Sequence, residues 1–208
     1  MNRLYLVTDA DICRQAGHTL PYVVEEACRA GVRWVQLREK NLSTRQFLET
    51  GAAVKRITQA YGARLIINDR VDVAMALDTD GVHIGQDDMP YEVVRSLVGN
   101  EKIIGLSVNN LTELQTACDL NVDYLGVATV FPTGTKQDTA SLLGIETLGV
   151  ICGRTNRPTF AIGGISAGNV QDVIRAGATG VAVVSAICGH PSPYDASRRL
   201  IDLIEEAL

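Results

Sequence analysis

The sequence predicts one (β/α)8 barrel domain over residues 1–208. Three observations lead there. Eight short runs of strand-forming residues are centred near Leu6, Val35, Ile66, His83, Gly105, Leu125, Phe160 and Ala182, on average about 25 residues apart, as a repeated strand-helix unit requires. Helical stripes lie between them. Each run ends in its own polar or glycine-rich cluster, whereas an open doubly wound sheet stops at fewer strands and carries one dominant glycine-rich turn.

Taken in order, the first strand is Leu4 to Thr8, closed by Asp9. Thr19 and Pro21 open a helix with Val23, Val24, Ala27 and Cys28 on one face and Gly31 as its stop. The second strand, Arg33 to Leu37, runs into Arg38-Glu39-Lys40, and Ser43 with Gln46 makes a capping box for a helix that continues toward Gly62. The third, Arg64 to Ile67, ends in Asn68-Asp69-Arg70 and is followed by a short helix over Val71 to Leu77. The fourth, Gly81 to Ile84, ends in Gly85-Gln86-Asp87-Asp88, and Pro90 opens the next helix through Val98. The fifth, Lys102 to Leu106, closes on Ser107-Val108-Asn109, with Thr112 as the cap of a helix ending near Asn121. Tyr124 to Val127 is the sixth strand; Leu143 to Cys152 is the helix after it. Thr159 to Ile162 and Gly180 to Val184 are the last two strands, followed by helices over Val170 to Ala176 and Asp195 to Leu208.

At 46% apolar and 21% charged residues, the chain has the balance of a globular protein that buries a core. The net charge of -5 argues against a nucleic-acid or acidic-membrane surface, so an anionic ligand must find a local basic site. The five cysteines are odd in number and lack a C-x-x-C pair, which excludes a disulfide framework and a zinc site from the expectation. No apolar run is long enough for a membrane span, and an acidic residue comes too early for a signal peptide. A cytoplasmic protein is expected.

A barrel gathers its strand ends on one rim, where active sites of this architecture sit. That rim holds Arg38, Lys40 and Lys136 together with Asp69 and Asp88. Such a set suits a magnesium-bound diphosphate, and it equally suits an array of surface ion pairs. Gly163-Gly164 after the seventh strand and Val184-Ser185 after the eighth lie where barrels often hold a phosphate monoester, though glycines there also simply make turns. Thr133, Gly134, Thr135 and Lys136 after the sixth strand read either as a further anion cradle or as a solvated loop. His83 sits within a strand and is expected to make a structural hydrogen bond; Trp34 and Tyr124 are expected to pack. No Ser-His-Asp or Cys-His set is apparent.

The motifs Tyr5-Leu6-Val7-Thr8-Asp9, Gln36-Leu37-Arg38-Glu39-Lys40, Asn68-Asp69-Arg70, Val82-His83-Ile84-Gly85-Gln86-Asp87-Asp88, Gly105-Leu106-Ser107, Phe131-Pro132-Thr133-Gly134-Thr135-Lys136, Ala161-Ile162-Gly163-Gly164 and Val184-Ser185, in this order, resemble the thiamine-phosphate synthase family. The resemblance implies a transferase that joins 4-amino-5-hydroxymethyl-2-methylpyrimidine diphosphate to a thiazole phosphate. It implies that Gln36, Leu37, Arg38, Glu39, Lys40, Asn68, Ser107 and Lys136 hold the pyrimidine diphosphate, with Arg38, Lys40 and Lys136 catalytic. Asp69 and Asp88 would bind Mg²⁺, and Thr133, Gly134, Thr135, Gly164, Val184 and Ser185 would take the thiazole phosphate. The implied partners are small phosphorylated substrates and a second copy in a homodimer. Two alternatives share the scaffold: a thiazole tautomerase, which has no use for the magnesium carboxylates, and a non-enzymatic thiamine-phosphate sensor. One departure is Ala128-Thr129 where the family has Gly-Pro, which predicts altered packing at the exit of the sixth strand.

Overall fold

The computed structural model describes residues 3–134 and 142–208. Eight parallel strands, β1 (Leu4–Val7), β2 (Trp34–Leu37), β3 (Arg64–Asn68), β4 (Gly81–Ile84), β5 (Ile103–Val108), β6 (Tyr124–Val127), β7 (Thr159–Ile162) and β8 (Gly180–Val183), form a closed barrel in sequence order. Closure is through β1 and β8, with Leu4 beside Val181 and Leu6 beside Val183. Helices α1 (Ala10–Gln15) and α2 (Leu20–Ala30) follow β1, and α3 (Thr44–Ala60), α4 (Val71–Leu77), α5 (Tyr91–Val98), α6 (Leu111–Cys118) and α7 (Gly144–Gly153) follow the next five strands. Helix α8 (Val170–Arg175) follows β7, and α9 (Ser185–Cys188) and α10 (Pro193–Glu206) follow β8.

The helices begin where side chains satisfy their first N–H groups. Thr19 caps α2, and Ser43 and Gln46 form the reciprocal capping box of α3. Two expected boundaries move for the same reason. The side chain of Asn110, rather than Thr112, accepts from the Glu113 N–H at 2.9 Å and starts α6, and Ser192 caps α10, which begins at Pro193 rather than Asp195. Helix α1 was not expected; Asp9 Oδ1 accepts from the N–H groups of Asp11 and Ile12 and so nucleates six residues that lack a full apolar stripe.

Alternation along the strands divides the core in two. Leu4, Leu6, Val35, Leu37, Leu65, Ile67, Val82 and Ile84 point outward into the shell shared with the helices. Tyr5, Trp34, Tyr124 and Phe160 point inward with Ile66, Val7 and Ala182 and fill the barrel. The four rings meet edge-on or tilted, with centroids 5.3 to 5.8 Å apart, and Arg64 lies over Trp34 at 4.8 Å. Burying each such side chain contributes on the order of 2–3 kcal/mol.

Glycines open the room these rings occupy. A Cβ at Gly105 would overlap the Tyr124 ring, and one at Gly126 would stand 2.9 Å from Cε1 of His83. Gly81 is confined by backbone rather than by a ring: a Cβ there would meet the carbonyl oxygen of Ile103 and stand 2.7 Å from its Cβ. Gly81→Ala is therefore expected to force β4 and β5 apart and to cost about 2 kcal/mol or more in urea unfolding. An unchanged midpoint would contradict the β4–β5 register.

Candidate active site

The period of two that plants the aromatic layer also sets the layer above it. Two residues beyond Trp34, Ile66, Gly105 and Phe160, on the same inward face, stand Gln36, Asn68, Ser107 and Ile162. These side chains line a cavity of about 370 Å³ that opens at the C-terminal ends of the strands. Its floor is Tyr5, Tyr124 and Phe160, with His83 beside them.

One end of the cavity is charged. Lys40 pairs with Oδ2 of Asp69, and Asp88 lies close to Asp69 across the β3 and β4 exits. The Asp69 N–H bonds the His83 carbonyl at 2.8 Å, continuing the ladder past the strand, and its φ of 60° is a left-handed conformation that Asp tolerates better than most side chains. Asp88 Oδ2 accepts from the Gly85 N–H at 2.6 Å. Burial pushes the Asp88 carboxyl above the usual carboxylate range, and the Asp69 carboxylate pushes the same way against the Gly85 N–H and Lys40. Arg38 and Gln86 complete this end; Gln86 donates to the Ser107 carbonyl at 2.6 Å, and the Arg38 N–H is fixed by Thr8 Oγ1 at 3.1 Å.

The opposite end is built from backbone. Val130 and Phe131 donate to the carbonyls of Ile162 and Gly163, both at 3.1 Å, so the exit of β6 runs along the exit of β7. Gly163 and Gly164 have φ of 108° and 61°, and a Cβ would meet Thr129 Cγ2 at 2.5 Å in the first and the Pro132 carbonyl at 2.5 Å in the second. Packing alone thus demands both glycines. Thr129, Thr133, Val184 and Ser185 line this end, and Ser185 opens the single turn of α9. The Ala128–Thr129 peptide is cis.

Gln36, Arg38, Lys40, Asn68, Asp69, Asp88, Ser107, Thr133, Gly164, Val184 and Ser185 therefore share one cavity. Leu37, Glu39 and Gly134 are not part of its lining. Leu37 is fully buried in the outer shell, because it follows Gln36 on an alternating strand. Glu39 is half-buried with Oε1 lacking a hydrogen-bond partner among the described residues, and burial followed by the nearby Asp9 and Asp11 raises its carboxyl. Thr135 and Lys136 lie outside the described residues. Among the described residues the His83 ring meets two side-chain partners rather than one, Tyr124 and Ser107, and Tyr5 and Tyr124 join them as polar groups of the floor. The signal for Tyr124 was its place opposite Gly105 in the paired strands, which only the register reveals.

A model of the thiamine monophosphate synthase family matches residues 4–187. A thiamine-phosphate synthase of Chloroflexus aurantiacus is 46% identical over 97% of this chain and 92% of its own length. The chain belongs to the thiamine monophosphate synthase family. Another relative, a thiamine-phosphate synthase of Vibrio parahaemolyticus, is 45% identical over 98% of each chain. Among solved structures, the thiamine phosphate pyrophosphorylase of Pyrococcus furiosus superposes with a TM-score of 0.90 at 38% identity, covering 100% of this chain and 97% of its own. The family's barrel is thus found here through all eight units.

The raised Asp88 carboxyl has a signed consequence. A native state that binds this proton more tightly than the unfolded chain loses stability as pH rises through the native value. Asp88→Asn, which keeps an acceptor for Gly85, is expected to raise the urea midpoint at about pH 7 and to leave it unchanged at about pH 3, where the carboxyl is protonated in both states. Lower stability at the higher pH would show that the carboxylate is favoured where it stands.

Proposed function

We propose that this chain is a transferase condensing 4-amino-5-hydroxymethyl-2-methylpyrimidine diphosphate with 4-methyl-5-(2-phosphoethyl)thiazole, or its carboxylated form, to give thiamine phosphate and diphosphate. The observation that carries this reading is the shape of the charge: one cavity with cations and paired carboxylates at one end and backbone-built turns at the other. Family membership supports the same reading. An isomerase acting on the thiazole phosphate alone would leave the charged end without a task. The whole chain is taken as one catalytic domain. Among the described residues no helix is long and apolar enough to cross a membrane, the five cysteines are free thiols, and the cytosol is the proposed location.

The donor set fits Mg²⁺. Among the described residues no group of three or more His, Cys, Asp or Glu forms a cage, yet Asp69 and Asp88 stand close enough to raise the latter's carboxyl. Mg²⁺ takes one or two carboxylates and leaves its other positions to phosphate oxygens and water, so this pair with a diphosphate would hold it. Bound there, the ion would offset negative charge on the diphosphate as it departs.

The remaining work falls to the protein's own groups. Arg38 and Lys40 neutralise the diphosphate, with Lys136 assigned to the same task by the family resemblance. Gln36, Asn68 and Ser107 orient the pyrimidine above an aromatic floor that keeps water from its face. As the carbon–oxygen bond breaks, the pyrimidine's 4-amino group feeds electrons to the methylene cation, so no strong protein base is required. Gly164, Val184, Ser185 and Thr133 hold the thiazole phosphate so that the ring nitrogen faces that cation, with Thr135 assigned to the same task by the family resemblance. Binding energy at the phosphate thereby positions the nucleophile at a distance.

Mixing both substrates with the purified protein should yield thiamine phosphate and diphosphate in equal amounts, with Mg²⁺ required; absence of product would end the reading. Asp69→Ala is expected to lower kcat by about 100-fold or more while the thiazole phosphate Kd stays within about twofold. A collapse of thiazole affinity would instead show that the two ends of the cavity are wrongly divided. Thermal unfolding gives a readout without turnover: Mg²⁺ with inorganic diphosphate should raise the Tm of the wild type and not of Asp69→Ala.

A further inference from the structure

Beneath the cavity a chain of hydrogen bonds crosses the barrel from β2 to β5. The Gln36 side-chain N–H donates to the Tyr5 hydroxyl at 3.1 Å, the hydroxyls of Tyr5 and Tyr124 are 2.9 Å apart, Tyr124 meets His83 Nδ1 at 3.0 Å, and His83 Nε2 meets Ser107 Oγ at 2.9 Å. Five residues from five strands, β2, β1, β6, β4 and β5, are thereby linked in one line. Its two ends, Gln36 and Ser107, line the ligand cavity. Its middle is deeply buried: Tyr5 and Tyr124 are each 1% exposed and His83 is 8% exposed. Burial pushes both phenols well above their ordinary pKa, so both remain neutral and each has a single proton to give.

We infer that Tyr5, Tyr124 and His83 are positioning residues that fix the proton order of this line and so set the Ser107 hydroxyl as a donor to the ligand. With Gln36 donating to Tyr5, the Tyr5 proton must go to Tyr124 and the Tyr124 proton to His83 Nδ1. His83 then carries its proton on Nε2 and gives it to Ser107 Oγ, leaving the serine's own proton for an acceptor in the cavity. The opposite order would leave two donors facing each other at Tyr5, a clash that is costly in a dry interior. Two glycines accommodate this line: Gly105 leaves room for the Tyr124 ring and Gly126 for the His83 ring, at positions where a strand is otherwise weakened by glycine. His83 also stacks on Tyr124 at 27° between planes, which holds Nδ1 toward the hydroxyl.

That the acceptor is the substrate diphosphate or pyrimidine rests on the proposed function; the proton order does not. The histidine tautomer is read directly by ¹⁵N correlation spectra of ligand-free protein at about pH 8, where histidine is mostly neutral. His83 is picked out among the three histidines by the His83→Gln variant. The expected result is an Nε2–H tautomer in the wild type, giving way in Tyr124→Phe to a mixture of both tautomers. An Nδ1–H tautomer or a charged ring in the wild type would overturn the order. In turnover, Tyr124→Phe is expected to lower kcat by about 10-fold or more with the KM for thiazole phosphate within about twofold. Trp34→Phe, in the same aromatic layer but outside this line, should lose comparable thermal stability and keep kcat within about twofold. Equal loss of kcat in both variants, or none in Tyr124→Phe, would reduce the tyrosine to packing. A wild type that forms no thiamine phosphate would sink the proposed function and leave the tautomer result to judge the line.

Discussion

In a closed sheet of eight parallel strands, no side chain can choose its face independently of its neighbours. Closure fixes the register, register fixes the pleat, and the pleat sends every second residue inward. Here that constraint produces the aromatic layer from Tyr5, Trp34, Tyr124 and Phe160, and the polar layer of Gln36, Asn68 and Ser107 one step nearer the rim. A single-residue slip in β2 would exchange Gln36 for Leu37 in the cavity and bury an amide against the helices. Site and core are therefore two rows of the same lattice, and the stability of one specifies the geometry of the other.

The charged end is held together on different terms. Asp69 and Asp88 repel each other in a partly buried position, and among the described residues only Lys40, itself half exposed, pairs with one of them. An exposed ion pair of this kind adds little to folding. The arrangement costs the fold some stability, as the proposed Mg²⁺ site would if the charge it lacks arrives with its ligand. The backbone-built end shows the opposite economy: Gly163 and Gly164 serve the packing of the β6 exit on the β7 exit and present turns to the cavity by the same conformation.

Much of this was legible in the sequence because it depends on local patterns. Eight strand runs, the Ser43–Gln46 capping box and the residues at the strand ends follow from periodicity and turn chemistry. Helix α1 escaped because a single Asp9 cap, and no apolar stripe, starts it, and β5 reaches Val108 because pairing with β6 continues through Ser107 and Gly126. The contact of Gly105 with Tyr124 was out of reach for a more basic reason. Nothing in either residue's own neighbourhood says that one strand's missing Cβ makes space for a ring from the next. Cross-strand facts of this kind come only with register.

The same distinction explains why His83 reads differently in place than in sequence. Within Val82-His83-Ile84 it has the look of a strand residue with one bond to satisfy, and a buried imidazole can be satisfied by a single partner. In the barrel both ring nitrogens are engaged, one toward the sealed floor and one toward the open cavity. A ring bonded on both sides transmits the polarity of one hydrogen bond to the other, because only one of its nitrogens carries a proton when neutral. The aromatic floor therefore does more than exclude water: through His83, the choice of donor at Gln36 and Tyr5 determines which way a hydroxyl on the far side of the cavity can point.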